Sequence, residues 1–301
     1  MASVERTAGD IKSMKVRGAL DIAIAAAGAL KDSIASGKNA AELAKDGRKL
    51  KHARPTAVSL PNAVSYVLQL VEENKNLSKP DFKRKTINEI DSFIREQKNA
   101  GSRIAEIGSR LIEKGDTVLT HCQSDTAEGI LIKARKKGIK FDVVCTETRP
   151  RHQGYLTAKI LKKNKIPVTL IIDSAVNYMM KKLEVDKVIV GADAVLVNGD
   201  VINKIGTSQV AACASMMEVE FIVAAQSIKF SPESVYGRLI EIEDRGAKEV
   251  TTELRGVKIL NPAFDVTPAH HISKIVTEQG IIPPAGAYDI LRQSKYVKAE
   301  R

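Results

Sequence analysis

The sequence contains no tryptophan and only 4% aromatic residues, so its core has to be filled by Ala, Ile, Leu and Val rather than by rings. It has three cysteines, Cys122, Cys145 and Cys213, an odd number with no CxxC spacing. That argues against a disulfide framework and a zinc ribbon and fits a reducing compartment. No apolar stretch is long enough to cross a bilayer, and the opening MASVERTAGDIKSMKVRG lacks the apolar run of a signal peptide. A cytoplasmic protein without a membrane span is expected. HExxH, the Walker A loop and GxGxxG are all missing, which leaves nucleotide binding through those motifs unsupported. The five histidines offer no ligand spacing. His121 and Cys122 are adjacent on a predicted strand and point to opposite faces. His270 and His271 are adjacent on a predicted helix. No metal site and no cofactor is expected.

What remains is an ordinary globular composition of 301 residues, 44% hydrophobic and 28% charged, long enough to bury a core without staples. The net charge is +11 and the pI about 9.4. Such a surplus favours anionic partners: phosphorylated metabolites, nucleic acid or an anionic surface. The lysines and arginines are spread along the chain with no basic tail, and no RNA-binding motif occurs. A small phosphorylated ligand is therefore the expectation over nucleic acid.

The first third reads as helical. GALDIAIAAAGAL and AVSYVLQLVEEN combine strong helix formers with apolar residues at helical spacing. A long charged amphipathic helix is predicted from Lys83 to Lys114, with a break near Gly101. ASGKN, RPT and NLSKPD punctuate these helices. From Gly115-Asp116 the pattern changes. The short apolar runs TVLTHC, FDVVCTE, VTLIID, KVIVGAD and EFIVAAQ alternate with charged amphipathic stretches. Runs of this kind suit strands buried on both faces of a parallel sheet. The fold class is thus α/β: a helical N-terminal domain, 1–112, followed by a Rossmann-like parallel-sheet domain, 113–301. The tail KYVKAER is expected to fray.

In open α/β sheets, ligands bind beyond the carboxyl ends of the strands. The first strand ends at Thr120-His121-Cys122, with Ser124 or Asp125 as cap of the next helix. A thiol there faces the positive end of a helix dipole, which lowers its pKa. Cys145, inside a strand, and Cys213, inside an Ala-rich helix, read as structural. KVIVGAD ends in Asp193, where desolvation would raise a carboxyl pKa as a general acid requires. Next, NGDVINKIGTSQVAA brings Asn203 and Lys204 to the same edge, with Thr207 or Ser208 capping the helix that follows. Arg149 and Arg151 flank Pro150 in another edge loop, and guanidinium forks suit phosphate oxygens. Arg17 with Gly18, and Arg54, stand at predicted helix starts, which favour anions.

The motifs VRGA, ARPT, THC, TETRP, VGADAVLVNGD, NKIGT and NPAFDVTP occur in this order over nearly the whole chain. Together they resemble a superfamily containing the archaeal ribose-1,5-bisphosphate isomerases, the methylthioribose-1-phosphate isomerases and the regulatory subunits of initiation factor 2B. The resemblance implies that Cys122, in THC, and Asp193, in GAD, are the catalytic pair. It implies substrate contacts from Arg17, Gly18, Ala19, Leu20, Arg54, Ser124, Asp125, Thr126, Asn203, Lys204 and Lys229. The methylthio branch typically reads RGAPAIG where this chain reads RGALDIA, and regulatory subunits generally lack the Cys/Asp pair. The bisphosphate isomerase is accordingly the leading expectation. A non-enzymatic subunit that binds initiation factor 2 and a methylthioribose-1-phosphate isomerase stand as alternatives. The leading reading implies a sugar bisphosphate substrate, a homo-oligomer (dimer or hexamer) and a place in AMP salvage. The proposed chemistry is protonation of the ring oxygen by Asp193 and proton abstraction at C2 by Cys122, with a C2-to-C1 hydride shift as the alternative.

Overall fold

The structure is a computed structural model describing residues 3–294, apart from 14, 17, 55, 56, 238–240 and 255. Within these residues the chain forms two compact units. One is Met1–Ala100 with Ile228–Phe230 and Leu291–Arg301; the other is Gly101–Ser227 with Ser231–Ile290. The tail from 295, expected to fray, and Arg17 lie outside the described residues.

In the helical unit, α1 (Val4–Lys12), α2 (Ala19–Ala35), α3 (Ala40–Lys51) and α4 (Ser59–Asn74) precede α5 (Lys79–Gly108). The alanines of α2 let it lie close to α4, and Ile22, Leu30, Leu43, Leu60, Val67 and Phe93 fill the core between the helices. Each such side chain contributes about 1.5–3 kcal/mol on burial. Asn39 and Glu42 close a reciprocal capping box on α3, at 3.0 and 2.8 Å. Asp46, buried in α3, accepts from Ser33 Oγ (2.8 Å) and Lys38 Nζ (2.6 Å), so its charge is not left uncompensated. The Ile228–Phe230 segment is held to α4 by Asn62, whose Nδ2 donates to both terminal carbonyls of that segment at 2.8 and 3.0 Å.

The expected helix over 83–114 exists with different limits. It begins at Lys79, passes unbroken through Gly101 and ends at Gly108 in a 3-10 turn, Ser109–Leu111. An interior glycine costs a helix about 1 kcal/mol, which packing readily offsets. The glycine that matters is Gly108, where an added Cβ would sit 2.4 Å from Ile130 Cδ1.

The α/β unit matches the expected class. Its elements are β1 (Thr117–Thr120), α6 (Asp125–Lys136), β2 (Asp142–Thr146), α7 (Gly154–Lys163), β3 (Val168–Ile171), α8 (Val176–Lys182), β4 (Lys187–Gly191), β5 (Ala194–Val195), β6 (Val201–Lys204), α9 (Thr207–Met216), β7 (Glu220–Ala224), β8 (Phe264–Thr267), β9 (Lys274–Thr277), β10 (Gly280–Ile282) and α10 (Ala287–Gln293). Seven strands form one sheet in the order β10-β9-β7-β4-β1-β2-β3, parallel except for β10. Val118, Val143, Ile189 and Ile222 form its buried interior. All five apolar runs become strands, but VTLIID is not buried on both faces. It supplies the edge strand β3, with Leu170 44% exposed. A second sheet, β5-β6-β8, was not anticipated; its strands are short and lie in polar, glycine-bearing sequence.

At the change of pattern, Asp116 Oδ2 accepts from Glu113 N (2.7 Å) and Lys187 Nζ (2.8 Å), while Asp186 Oδ2 accepts from Thr117 N (2.8 Å). These bonds fix the amino ends of β1 and β4, and with them the register that places their carboxyl ends side by side. Close approach recurs at the other end. A Cβ on Gly154, the first residue of α7, would lie 1.7 Å from the carbonyl oxygen of Thr146. Gly154→Ala is therefore expected to destabilise the protein by about 3 kcal/mol, the upper range for forced overpacking, measured by denaturant unfolding.

Candidate functional site

β1 stops at Thr120, two residues before the expected end, because Cys122 adopts φ 66°. A non-glycine residue in this region is uncommon and persists only where its surroundings hold it. Three hydroxyls do so. The Cys122 N–H donates to Thr148 Oγ1 at 2.9 Å, and its carbonyl accepts from Thr157 Oγ1 at 3.1 Å. Thr146 Oγ1 lies 3.3 Å from Thr148 Oγ1 and 2.7 Å from His121 Nδ1. His121 Nε2 lies 2.9 Å from the Ile205 carbonyl. That oxygen can only accept, so Nε2 carries the hydrogen. Burial lowers the His121 pKa, which keeps the ring neutral and leaves Nδ1 to accept from Thr146. His121 is thus a strut between the end of β1 and the turn before α9.

A close contact aligns β4 with the start of α6: a Cβ on Gly191 would meet Ser124 Oγ at 2.2 Å. Ser124 caps α6 by accepting from Ala127 N at 3.4 Å. Cys122 lies two residues before Ser124 and Asp193 two after Gly191. The backbone N–H of Asp193 donates to the Ile202 carbonyl at 2.9 Å, tying it to β6, which ends in Lys204. The Cys122 thiol, the Asp193 carboxylate and the Lys204 ammonium are electrostatic neighbours.

The thiol differs from expectation. Burial pushes its pKa up to about 12, outweighing the pull of Lys204 and of the Gln123 N–H, while Asp193 and Asp173 push in the same direction as burial. The α6 dipole does not produce a thiolate here because Cys122 is only 7% exposed, and desolvation of an anion outweighs a partial charge at a helix end. Burial likewise lowers the Lys204 pKa, with Cys122 raising it and Arg245 lowering it further. Lys204 Nζ sits 4.5 Å from the centroid of the Phe264 ring.

The remaining candidates divide. Asp125 is exposed at the start of α6 and accepts from Gln123 Nε2 at 3.0 Å. Thr126 donates its hydroxyl to the Ala224 carbonyl at 2.9 Å, joining α6 to β7. Asn203 Nδ2 donates to Thr207 Oγ1 at 3.0 Å, and Thr207 donates to the Lys204 carbonyl at 2.6 Å. Neither Thr207 nor Ser208 caps α9. The cap residue is Gly206, and Asp265 of β8 supplies the carboxylate, accepting from Gly206 N (2.7 Å), Ser208 N (3.2 Å) and Ser208 Oγ (2.8 Å). Arg149 and Arg151 are not open phosphate forks. Arg151 pairs with Glu249, and Arg149 donates to the Val250 carbonyl at 3.1 Å. A small cleft lies beside Lys204, lined also by Arg151, Arg245, Glu249 and Asn261.

In the helical unit, Gly18 is the N-cap of α2 at φ 81° with no side chain bonded across it, and Ala19 and Leu20 open the helix. The Ala19 carbonyl accepts from Ser59 Oγ at 2.6 Å. Arg54 follows α3 and is half-buried; Lys229, 8% exposed, lies in the Ile228–Phe230 segment. Sequence reasoning passed over Thr146, Thr148, Thr157 and Asp265, since threonines in a strand and an Asp in another segment carry no local signal. It also passed over Gln226, just past β7, whose buried Oε1 has no partner among the described residues and could accept from a ligand hydroxyl. Among the described residues, no three His, Cys, Asp or Glu side chains converge as a metal site, and no helix is long and apolar enough to cross a membrane.

Fold and site define a helical unit joined to a Rossmann-like α/β unit that carries a buried thiol and a buried ammonium, with a carboxylate beside them, at adjoining strand ends. The model of the initiation factor 2 subunit family matches residues 15–284, and the chain belongs to that family. It is 46% identical to the ribose 1,5-bisphosphate isomerase of Methanocaldococcus jannaschii, over 97% of this chain and 96% of the relative. Among solved structures it is similar to the 5-methylthioribose 1-phosphate isomerase of Pyrococcus horikoshii, with TM-score 0.79 and 32% identity, covering 97% of this chain and 87% of that one. It is also similar to the structure described as translation initiation factor eIF-2B, subunit delta, from A. fulgidus. There the TM-score is 0.75 and the identity 33%, covering 95% and 89%.

The buried thiols generate a testable property. Burial raises Cys122 and Cys145 to about 12 and raises Cys213 as well. Raised acid pKa values mean little thiolate at neutral pH, so the native protein should react with iodoacetamide far more slowly than the unfolded chain. Its rate should keep rising above about pH 9, where a free thiol has levelled off. Alkylation rate against pH, with peptide mapping, checks this.

Proposed function

We propose that this protein is an isomerase that converts α-ribose 1,5-bisphosphate to ribulose 1,5-bisphosphate, with Cys122 and Asp193 as its catalytic pair. The observation that carries the reading is the convergence of a desolvated thiol, a carboxylate and an ammonium at the ends of β1, β4 and β6. This occurs in a chain nearly half identical, along its whole length, to a relative bearing that name.

The buried thiol determines how the chemistry runs. Burial keeps Cys122 in its thiol form at the outset. Asp193 takes the thiol proton and passes it to the ring oxygen as the bond from that oxygen to C1 breaks. The resulting thiolate removes the proton from C2, and its electron pair forms the C1–C2 double bond of an enol phosphate. The thiol then returns its proton to C1 while the C2 hydroxyl gives its proton to Asp193, and Asp193 hands that proton back to Cys122, leaving the ketone and both side chains as they began. No electrons are gained or lost overall, and the exchange needs no redox partner. Lys204 lies where it stabilises the anion on either partner, which is worth most in a desolvated site. Each phosphate requires cations, and the +11 surplus meets that need. Lys204 in the α/β unit, Arg54 and Lys229 in the helical unit, and Arg17 are the candidates. Gly18, Ala19 and Leu20 would offer backbone N–H groups at the open N-terminus of α2. Ser124, Asp125 and Asn203 would meet the sugar hydroxyls.

The reading extends to a homo-oligomer acting in the cytoplasm. Its substrate arises from phosphorolysis of a nucleoside monophosphate, and its product enters sugar-bisphosphate metabolism. The test is turnover of enzymatically prepared α-ribose 1,5-bisphosphate. Cys122→Ser and Asp193→Asn should each lower kcat by about 10²–10⁴, the usual worth of a positioned acid or base, in variants that remain folded. Turnover of methylthioribose 1-phosphate instead would move the assignment to that branch. Binding of initiation factor 2 with no turnover of either sugar would make the chain a regulatory subunit.

A further inference from the structure

Glu128 lies on α6, is 4% exposed, and has no part in the chemistry above. Its Oε1 is 2.7 Å from Thr157 Oγ1, and that same hydroxyl is 3.1 Å from the Cys122 carbonyl. A threonine hydroxyl has one hydrogen, so it cannot donate to both oxygens at once. If Glu128 is protonated, the carboxyl donates to Thr157 and Thr157 donates to Cys122, and every hydrogen in the chain has an acceptor. If Glu128 is ionised, the charged and nearer oxygen takes the threonine hydrogen, and the Cys122 carbonyl loses it. Cys122 is the residue whose φ of 66° needs holding.

We propose that Glu128 is a positioning residue for Cys122: acting through the Thr157 hydroxyl, its protonation decides whether the carbonyl of the reacting cysteine is clamped. The inference rests on the reading of Cys122 as the reacting thiol. Burial raises the Glu128 pKa to about 7, against the opposing bond from Thr157 and with some help from Asp125. The groups facing it are Asp125 on its own helix, the Thr157 hydroxyl on α7 and the Cys145 thiol on β2; no cation acts on it among the described residues. The carboxyl therefore changes charge near neutrality, clamped on the acid side and released on the alkaline side.

Glu128→Gln replaces the carboxyl with an amide that donates to Thr157 at every pH. In the full-length protein this variant should flatten the fall of kcat between about pH 6 and 8.5 that Glu128 causes in the wild type. Thr157→Val should lower kcat about ten- to hundredfold while KM changes little, as expected when a reacting group is misplaced, and Thr157→Ser should restore it. A second readout does not involve the substrate. At about pH 8.5 iodoacetamide should label Cys122 several-fold faster in the wild type than in Glu128→Gln, because the released loop opens more often. A purely electrostatic role would give the opposite order, since an ionised Glu128 disfavours the thiolate. Labelling that is equal or reversed between the two proteins overturns the proposal. So does a pH profile that Glu128→Gln leaves as in the wild type. If wild type fails to turn over ribose 1,5-bisphosphate yet shows the predicted labelling order, the clamp stands and the substrate assignment falls.

Discussion

The arrangement depends on holding one residue, Cys122, in a conformation that its side chain disfavours. At φ 66° the chain leaves β1 abruptly, and both peptide groups flanking the thiol are then fixed by threonine hydroxyls, Thr148 on one side and Thr157 on the other. A left-handed non-glycine residue costs about 1–2 kcal/mol, and two buried hydrogen bonds at about 1 kcal/mol each offset that cost. The threonines are positioned in turn by the sheet. Thr146 ends β2, Thr148 is tied through its N–H to Asp173 at 2.8 Å after β3, and Thr157 lies on the helix that starts at Gly154. Three neighbouring strand ends are therefore needed to set one cysteine.

Desolvation then governs the electrostatics. The same burial that pushes the Cys122 thiol up pulls the Lys204 and His121 cations down and raises Glu128 and Asp265. Each is driven toward its neutral form. Among such neighbours proton transfer costs less than it would among fully solvated ions. The helix dipoles at the same edge are subordinate. The N-terminus of α9 is occupied by Asp265, and that of α6 is capped by Ser124.

The relatives show why fold alone does not settle the activity. Chains of this architecture carry names that include two different sugar-phosphate isomerases and an initiation factor subunit. A shared scaffold can host several roles, and the chemistry of particular side chains has to separate them. On the proposed reading, the thiol and carboxylate at the ends of β1 and β4 would separate this chain from a regulatory subunit, and the departure at Leu20 would separate it from the methylthio branch.

Much of this was legible in the sequence. Continuous β-branched runs alternating with amphipathic stretches point to a parallel α/β sheet by themselves, because such runs suit strands covered on both faces. The strand-end rule then places Cys122 and Asp193 at the carboxyl edge of the sheet, while the pairing of β1 with β4 that makes them neighbours is a matter of strand order. The short second sheet escaped notice, since strands of two to four residues in polar sequence leave no periodic trace. VTLIID read as central and proved to be an edge strand, because strand order is a long-range property. Only the tertiary structure decided the ionisation of the thiol, the capping of α9 by a carboxylate from β8, and the link from Glu128 through Thr157 to Cys122. Each depends on how much water is excluded and on which distant atoms meet, and local residue spacing encodes neither.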